Sequence, residues 1–398
     1  MYIPRPDLEA SLKRALKSSR HVIIHGESGT GKSWLYKRVF FEQDVHIEIA
    51  NMANAVRLGS ITKECLNNHD RHEAALKTHY DEAKEGSVGG GLIGGKLSHT
   101  GHFALGQKEP FEMYLAAIRK RAGKNTACLV LDNLEAILEH RDLITELANM
   151  IILVDDERYA QYDIKLVLVG VPSDIRSYFT QLEHLAPVAN RLREIPEVDR
   201  LSEDEAHALI TTGFFDLLNY TYVGPNMKRD FLRSLCWYTN RVPQHLQELC
   251  LEIAEVAESR GGTIDEDVRS AGVYEWVRSS MMSQYATIEK NMNSRSTKVG
   301  RKNQAIYAIA HCDRDSFLHS HIEAIIRRLF PSSTRGITLN VSQILTELST
   351  SKSPLIRRLP DGPEYRMYDP RIRVTGRAML KLDPATESII KVDIRHYH

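Results

Sequence analysis

The sequence predicts an α/β protein built on a doubly wound parallel sheet, followed by an all-helical segment and a small C-terminal domain of helices and a hairpin. Three observations predict it. Short, apolar, β-branched runs alternate with helix-spaced segments from His21 to about residue 200, the order required by a parallel sheet with helices on both faces. One of these runs, "HVIIHGESGTGKSWLYKRVF" from His21 to Phe40, passes from strand through a glycine-rich loop straight into a helix. After Leu201 the spacing becomes helical throughout, until two short strand candidates near the C-terminus.

Taken in order, "RHVIIHG" is a strand ended by glycine, "KSWLYKRVFF" is helical, and "VHIEIAN" from Val45 is a second strand. The polar stretch from Met52 to Lys84 carries apolar positions at helical spacing. Between Gly86 and Gly106 lie eight glycines, which rule out a helix, while Val88, Leu92, Ile93, Leu97, Phe103 and Leu105 are apolar for a free linker. Two readings stand for this insertion at about 86–108: a glycine-bent hairpin or an irregular surface loop. "FEMYLAAIRKRAG" is a helix closed by Gly123, "TACLVLD" a buried strand, "NLEAILEHRDLITELANMII" helical, and "DIKLVLVGVPSD" another buried strand. Ser202, followed by acids, opens a capped helix in "SEDEAHALITTGFFDLLNY". "MKRDFLRSLCWYT" and "VPQHLQELCLEIAEVAESRGG" continue as helices, the latter with Pro243 at its start and Gly261 at its end. From Gln304, "QAIYAIAH", "LHSHIEAIIRRLF" and "VSQILTELS" precede the strands "PLIRRLP" and "EYRMYD". Three helices and then a hairpin is the order of a winged helix.

Composition narrows the class. At 398 residues, 42% hydrophobic and 26% charged, the chain has material for two or three domains. Apolar runs such as "IKLVLVGV" fall short of the roughly 20 residues that span a bilayer, and Met1 leads directly into "YIPRPDLEA" rather than into a signal segment. A cytoplasmic location and no membrane partner are expected. Cys65, Cys128, Cys236, Cys250 and Cys312 are scattered and form no C-x-x-C pair, so a disulfide framework or zinc ribbon is not indicated. His311, His319 and His321 cluster in sequence but lack a ligand pair to complete a tetrahedral set. The formal net charge is zero, yet from Thr297 onward there are 17 Lys and Arg against 10 Asp and Glu. That excess suits nucleic acid or an acidic protein face.

The loop Gly26-Glu-Ser-Gly-Thr-Gly-Lys32-Ser33 fits G-x-x-x-x-G-K-S between strand and helix. Glycines there let successive backbone N–H groups turn toward phosphate at a helix N-terminus. Lys32 would reach the β- and γ-phosphates, and Ser33 would ligate Mg²⁺. "GGLIGGK", Gly90 to Lys96, repeats the spacing but has Leu97 in place of the hydroxyl residue and no preceding strand, so it is not read as a second site. Asp132, closing the strand "ACLVL", is placed to hold Mg²⁺ through water, or to cap the following helix, and the two roles are compatible.

The segments "YIPRPDLEASLKRAL", "GESGTGKS", "LVLDNLEAI", "LVLVGVPSDIRSYF", "ANRLREIPEVDRLSEDEA" and "NVSQILTEL…EYRMYDP" together resemble the AAA+ ATPases. Within them they are similar to the branch of origin-recognition, transposon-regulating and STAND signalling ATPases. The resemblance implies an ATPase core over 1–200, a helical lid over 201–262, a linker helix over 263–302 and a winged-helix-like domain over 303–398. It implies ATP and Mg²⁺ as cofactors, with Gly26, Glu27, Ser28, Gly29, Thr30, Gly31, Lys32, Ser33 and Trp34 around the phosphates, and Tyr2, Ile3 and Arg5 packing on adenine. Arg191 and Arg193 stand where an arginine finger reaches a neighbouring subunit, or else form surface pairs with Glu194 or Glu197. Three departures accompany it. Asn133 occupies the usual place of the water-activating glutamate, leaving Glu135 as the substitute; Val171 fills a sensing position, with Ser173 nearest; and Gln244 replaces a sensing arginine, with Arg241 the closest cation. Weak activating and sensing groups imply slow hydrolysis and a switch. Partners implied are further copies of the chain and a protein effector, as in bacterial antiviral defence or transposition. The alternatives are a ring or filament on double-stranded DNA, and a scaffold that holds ATP without hydrolysing it. The candidate DNA-facing helix, "NVSQILTELSTSK", offers only Asn340, Gln343 and Lys352 to bases. Arg357, Arg358, Arg371, Arg373 and Arg377 suit phosphate contact or a protein face.

Overall fold

A computed structural model of the protein describes residues 2–68, 109–171, 186–224, 226–293, 300–359 and 362–394. The chain divides into two units, Tyr2–Asp199 and Arg200–His398. The glycine-rich stretch 86–108, including Gly90–Lys96, and Ser173 lie outside the described residues.

In the first unit five strands form one parallel sheet: β1 His21–His25, β2 His46–Asn51, β3 Ala127–Asp132, β4 Ile164–Val171 and β5 Leu192–Glu194. Their order across the sheet is β2-β3-β4-β1-β5. Alternate side chains of a strand point to opposite faces, and here both faces are buried. Val22, Ile24, Val130, Val167 and Val169 pack with Leu12, Leu35, Tyr36 and Val39 of α1 (Pro6–Leu16) and α2 (Lys32–Glu42). Ile23, Leu129, Leu131, Leu166 and Leu168 pack with Leu115, Ile118, Leu147 and Ile151 on the other face. Those last four come from α4 (Pro110–Ala122) and α5 (Arg141–Val154), which follow a short α3 (Met52–Leu58) in the chain. Each such side chain removed from water contributes roughly 1.5–3 kcal/mol, which is why these runs read as continuously apolar rather than alternating. The helix ends agree with local chemistry: Asp7 and Glu9 open α1, Lys13 and Arg14 close it, and the Glu109 carboxylate accepts from the N–H groups of Phe111 and Glu112 at the start of α4.

The second unit begins with α6 (Glu203–Thr211), where Ser202 and Glu205 exchange side-chain and backbone hydrogen bonds, and continues through a π-helical turn, Thr212–Leu217. Helices α7 (Met227–Thr239), α8 (Pro243–Glu258), α9 (Glu266–Ser280) and α10 (Met282–Asn291) follow. The stretch expected as one linker helix is thus two, broken at Met281. α8 and α9 meet at Gly272, where a β-carbon would lie 2.4 Å from Ile253 Cγ1 and 2.8 Å from its Cα. Beyond them come α11 (Arg301–Ala310), β6 (Ser316–Phe317), α12 (His319–Leu329), α13 (Val341–Thr350), β7 (Ile356–Arg358) and β8 (Tyr365–Met367). β6, β8 and β7 form an antiparallel sheet in that order. A last helix, α14 (Pro370–Met379), and the hairpin of β9 (Leu380–Asp383) and β10 (Ser388–Lys391) have no counterpart in the sequence reading. Among the described residues, no helix is long and apolar enough to cross a membrane.

α14 corrects one expectation. Arg373 and Arg377, grouped by sequence with phosphate-facing cations, are 5% and 3% exposed. Arg377 donates to the carbonyls of Ala310 (2.8 Å) and Trp237, pairs with Asp313 (3.0 Å) and lies 5.1 Å over the Trp237 ring. Arg373 pairs with Asp315 at 3.5 Å, as does Arg200 at 3.0 Å. The reason is that α7 and α11 end nearby, where last-turn carbonyls have spare acceptor capacity; a guanidinium supplies several donors in one plane. Arg357 and Arg358 remain exposed on β7.

Two buried histidines make stability pH-dependent. The Leu166 N–H donates to His21 Nδ1 at 3.2 Å, so His21 carries its proton on Nε2, 3.6 Å from Asp155. His311 donates from Nδ1 to the Tyr307 carbonyl at 2.8 Å and stacks on the Tyr307 ring. Burial pushes both pKa values down to about 4 from 6.5. The unfolded chain therefore binds more protons between pH 6.5 and 4, and stability falls as pH drops through that window. Chemical denaturation should lose on the order of 1–3 kcal/mol per histidine between pH 7 and pH 4, a slope that His21→Gln and His311→Gln should flatten. Gly272→Val should lower stability by about 1–3 kcal/mol at neutral pH, read from the denaturation midpoint.

Candidate functional site

β1 ends at His25, and Gly26 to Gly31 turn the chain into α2. Gly26, Gly29 and Gly31 have φ of +144°, +81° and +96°, angles that residues with a β-carbon rarely adopt. At Gly26 a β-carbon would also lie 2.2 Å from the Val198 carbonyl oxygen. The Thr30 hydroxyl braces the loop by donating to the Glu27 carbonyl at 2.8 Å. α2 starts at Lys32 with no side-chain cap, so its first N–H groups are available to an anion. The Lys32 ammonium donates to the carbonyls of Gly26 (2.8 Å) and Glu27 (2.6 Å). Burial lowers its pKa, while the charges of Glu135 and Asp132 oppose that shift.

Because β4 lies between β1 and β3, the carboxyl ends of β1 and β3 are two strand spacings apart, about 10 Å. Asp132 closes β3 there. Its Oδ1 accepts from the Asn133 N–H at 2.9 Å and its Oδ2 from the Tyr36 hydroxyl at 3.3 Å. Asn133 is left-handed, with φ +60°, and its side-chain amide donates to Asn51 Oδ1 of β2 at 3.2 Å. Glu135 sits on a 3₁₀ turn, Leu134–Ile137, and its carboxylate rests against Gly170 of β4, where a β-carbon would come within 2.3 Å of Oε2. Partial burial raises the Glu135 pKa, and the Lys32 charge works against that rise. Lys32, Asp132 and Glu135 thus converge on one place.

Other sequence candidates are distributed as follows. Arg5 donates to the Thr30 carbonyl (3.3 Å) and the Asp199 carbonyl (2.8 Å), so the leading segment is tied to the loop. Tyr2 donates to Glu9 at 2.8 Å, and Ile3 is half-buried beside it. Glu27 and Ser28 lie within the turn, Ser33 is in the first turn of α2, and Trp34 next to it is 57% exposed. Arg191 and Arg193 are not brought to the loop of their own chain. Arg191 pairs with Asp155 at 2.8 Å, and its carbonyl accepts from His21 N–H. That places it at the start of β1, about 13 Å from the loop along the strand; Arg193 lies opposite Val22 on β5. Arg241 and Gln244 belong to the second unit. The Arg241 carbonyl accepts from Leu201 N–H, and Gln244 donates to Glu248 at 2.8 Å.

Sequence reading missed Tyr36, Gly170 and Asn51. Gly170 had a signal, since an isolated glycine in a strand pattern marks close approach of another group. The donor set suits a triphosphate with Mg²⁺: a cradle of N–H groups, one ammonium, one hydroxyl and carboxylate oxygens of the hardness that cation prefers.

Residues 14–179 match the AAA domain family. No curated protein sequence matches the chain. Among solved structures it is similar to the Walker-type ATPase PABY2304 of Pyrococcus abyssi, with 15% identity, a TM-score of 0.54, and coverage of 94% of this chain and 96% of the other. It is also similar to Cdc6p from Pyrobaculum aerophilum, at 14% identity, TM-score 0.42 and 95% coverage of both chains. The ORC2 protein of Aeropyrum pernix aligns at 14% identity and TM-score 0.46, again over 95% of both. The sheet order and the loop, together with the match of residues 14–179, support a P-loop ATPase in the first unit. Replacing Gly26 by Ala forces a side chain into the Val198 carbonyl; the variant should lose any ATP-induced rise in melting temperature.

Proposed function

We propose that the chain binds Mg²⁺·ATP in this site, hydrolyses it slowly, and uses the bound nucleotide to switch assembly of several copies that regulate a protein partner. The observation that carries this reading is the convergence of Lys32, Asp132 and Glu135, with Asn133 turned away toward Asn51. Ser33 and Asp132 would hold Mg²⁺, which when bound neutralises charge shared by the β- and γ-phosphates. Lys32 exchanges the carbonyls of Gly26 and Glu27 for phosphate oxygens. Glu135, with its raised pKa, takes a proton from the attacking water. Displacing that base by two positions from Asn133, onto a separate turn, supports slow turnover. Tyr2 and Ile3 would border the base, with Arg5 holding them to the loop. Arg191 and Arg193, remote from their own loop, would serve a neighbouring copy, with Arg191 first leaving Asp155.

Phosphate release by the wild type should therefore be slow and rise with protein concentration. Lys32→Ala should give only background, Glu135→Gln should slow release by about 10²–10⁴-fold, and Arg191→Ala should remove the concentration dependence. A wild type indistinguishable from Lys32→Ala at all concentrations would refute hydrolysis.

A second reading has its own observation. The order α11, β6, α12, α13, β7, β8 supports a winged helix, and the exposed Arg357 and Arg358 on β7 suit contact with duplex phosphates. Duplex binding that weakens steeply with salt, and less steeply in Arg357→Ala/Arg358→Ala, would favour it.

A further inference from the structure

We infer that Tyr36 is a positioning residue for the metal half of the site: its hydroxyl holds Asp132 and presets that carboxylate for one divalent cation. The inference rests on the Mg²⁺·ATP reading above. Tyr36 follows Ser33 by three residues on α2, so both side chains lie on one helix face. Its ring is fully buried, among Leu12, Val39, Val130 and Val169, with the Phe40 ring centre 5.7 Å away. A phenylalanine would fill that position without burying a polar atom, so the hydroxyl needs partners to offset its desolvation. On the metal side it donates to Asp132 Oδ2 at 3.3 Å.

The consequence for Asp132 is specific. One carboxylate oxygen is fixed by the Asn133 N–H and the other by the phenol. A carboxylate offers about four lone-pair sites, so two remain for the hydration shell of a bound ion, in an orientation already set. Mg²⁺ demands near-octahedral geometry and gives up its waters reluctantly, and groups that orient its ligands are typically worth 10–100-fold in metal affinity. Tyr36 thereby couples the loop-bearing helix to the end of β3 without touching nucleotide.

The test uses the full chain and its Tyr36→Phe variant, with ATP affinity measured by calorimetry in EDTA and across a Mg²⁺ titration. The expected result is unchanged affinity in EDTA, within about twofold, and a Mg²⁺ midpoint raised about 10-fold or more, with turnover recovering at excess Mg²⁺. Coupling is read in an Asp132→Asn background, where Tyr36→Phe should shift the midpoint less than it does alone. A wild type that depends on Mg²⁺ while Tyr36→Phe keeps its midpoint overturns this inference alone. An equal loss of affinity with and without Mg²⁺ also overturns it, by marking Tyr36 as a packing residue. A wild type that binds ATP with no metal dependence removes both it and the metal half of the proposed function.

Discussion

The contact between Gly26 and the Val198 carbonyl leaves no space for a single carbon atom, and the candidate site is built around that closeness. The Val198 N–H donates to the His25 carbonyl at 2.9 Å and the Ile195 N–H to Ile23 at 3.2 Å, so the chain after β5 runs along β1 up to the base of the loop. The His25 ring bonds the Ile195 carbonyl at 3.1 Å. Arg5 then bridges Thr30 in the loop to Asp199, the last residue of the first unit. Loop, leading segment and the end of the unit are therefore one hydrogen-bonded assembly. A change in loop conformation on binding phosphate would be felt at Asp199 through one guanidinium and two backbone contacts.

Electrostatics adds a second constraint. Lys32 is surrounded by the charges of Glu135, Asp132, Glu27 and Glu197. One cation facing four carboxylates is a poor site for a bare triphosphate, whose own charge would meet them at close range. The same carboxylates become favourable once a divalent cation shares the space, because the ion's charge dominates its surroundings. On the proposed function, the residues around the loop would therefore favour the metal complex over free nucleotide.

Much of this was legible in the sequence, for identifiable reasons. β1, β3 and β4 were visible because burial on both faces leaves no polar alternation, and the loop because glycine at left-handed positions cannot be replaced cheaply. Glu135 was singled out through the resemblance, which puts a water-activating glutamate where Asn133 stands. Arg373 and Arg377 misled because charge in a sequence reads as surface, whereas helix ends packed inside a unit create carbonyls that only a long donor can reach. Tyr36 was hidden among apolar neighbours at helical spacing, where an aromatic reads as core. It is core, and its one polar atom is the exception. The pairing of Arg191 with Asp155 joins residues 36 positions apart, and nothing in either segment announces it.

Glu135, proposed as the base, does not follow Asp132 directly, where β3 itself would fix it. Instead it stands on a single 3₁₀ turn and leans on Gly170, whose φ of +97° and missing side chain create the room it occupies. The Glu135 carboxylate is therefore held by the end of β4 as much as by β3. Any event that bends β4 at Gly170 moves a carboxylate relative to Lys32 and Asp132, and general-base catalysis depends on hydrogen-bond distance before it depends on pKa. On the proposed function, a strand end that controls the base suits gated turnover more than steady speed.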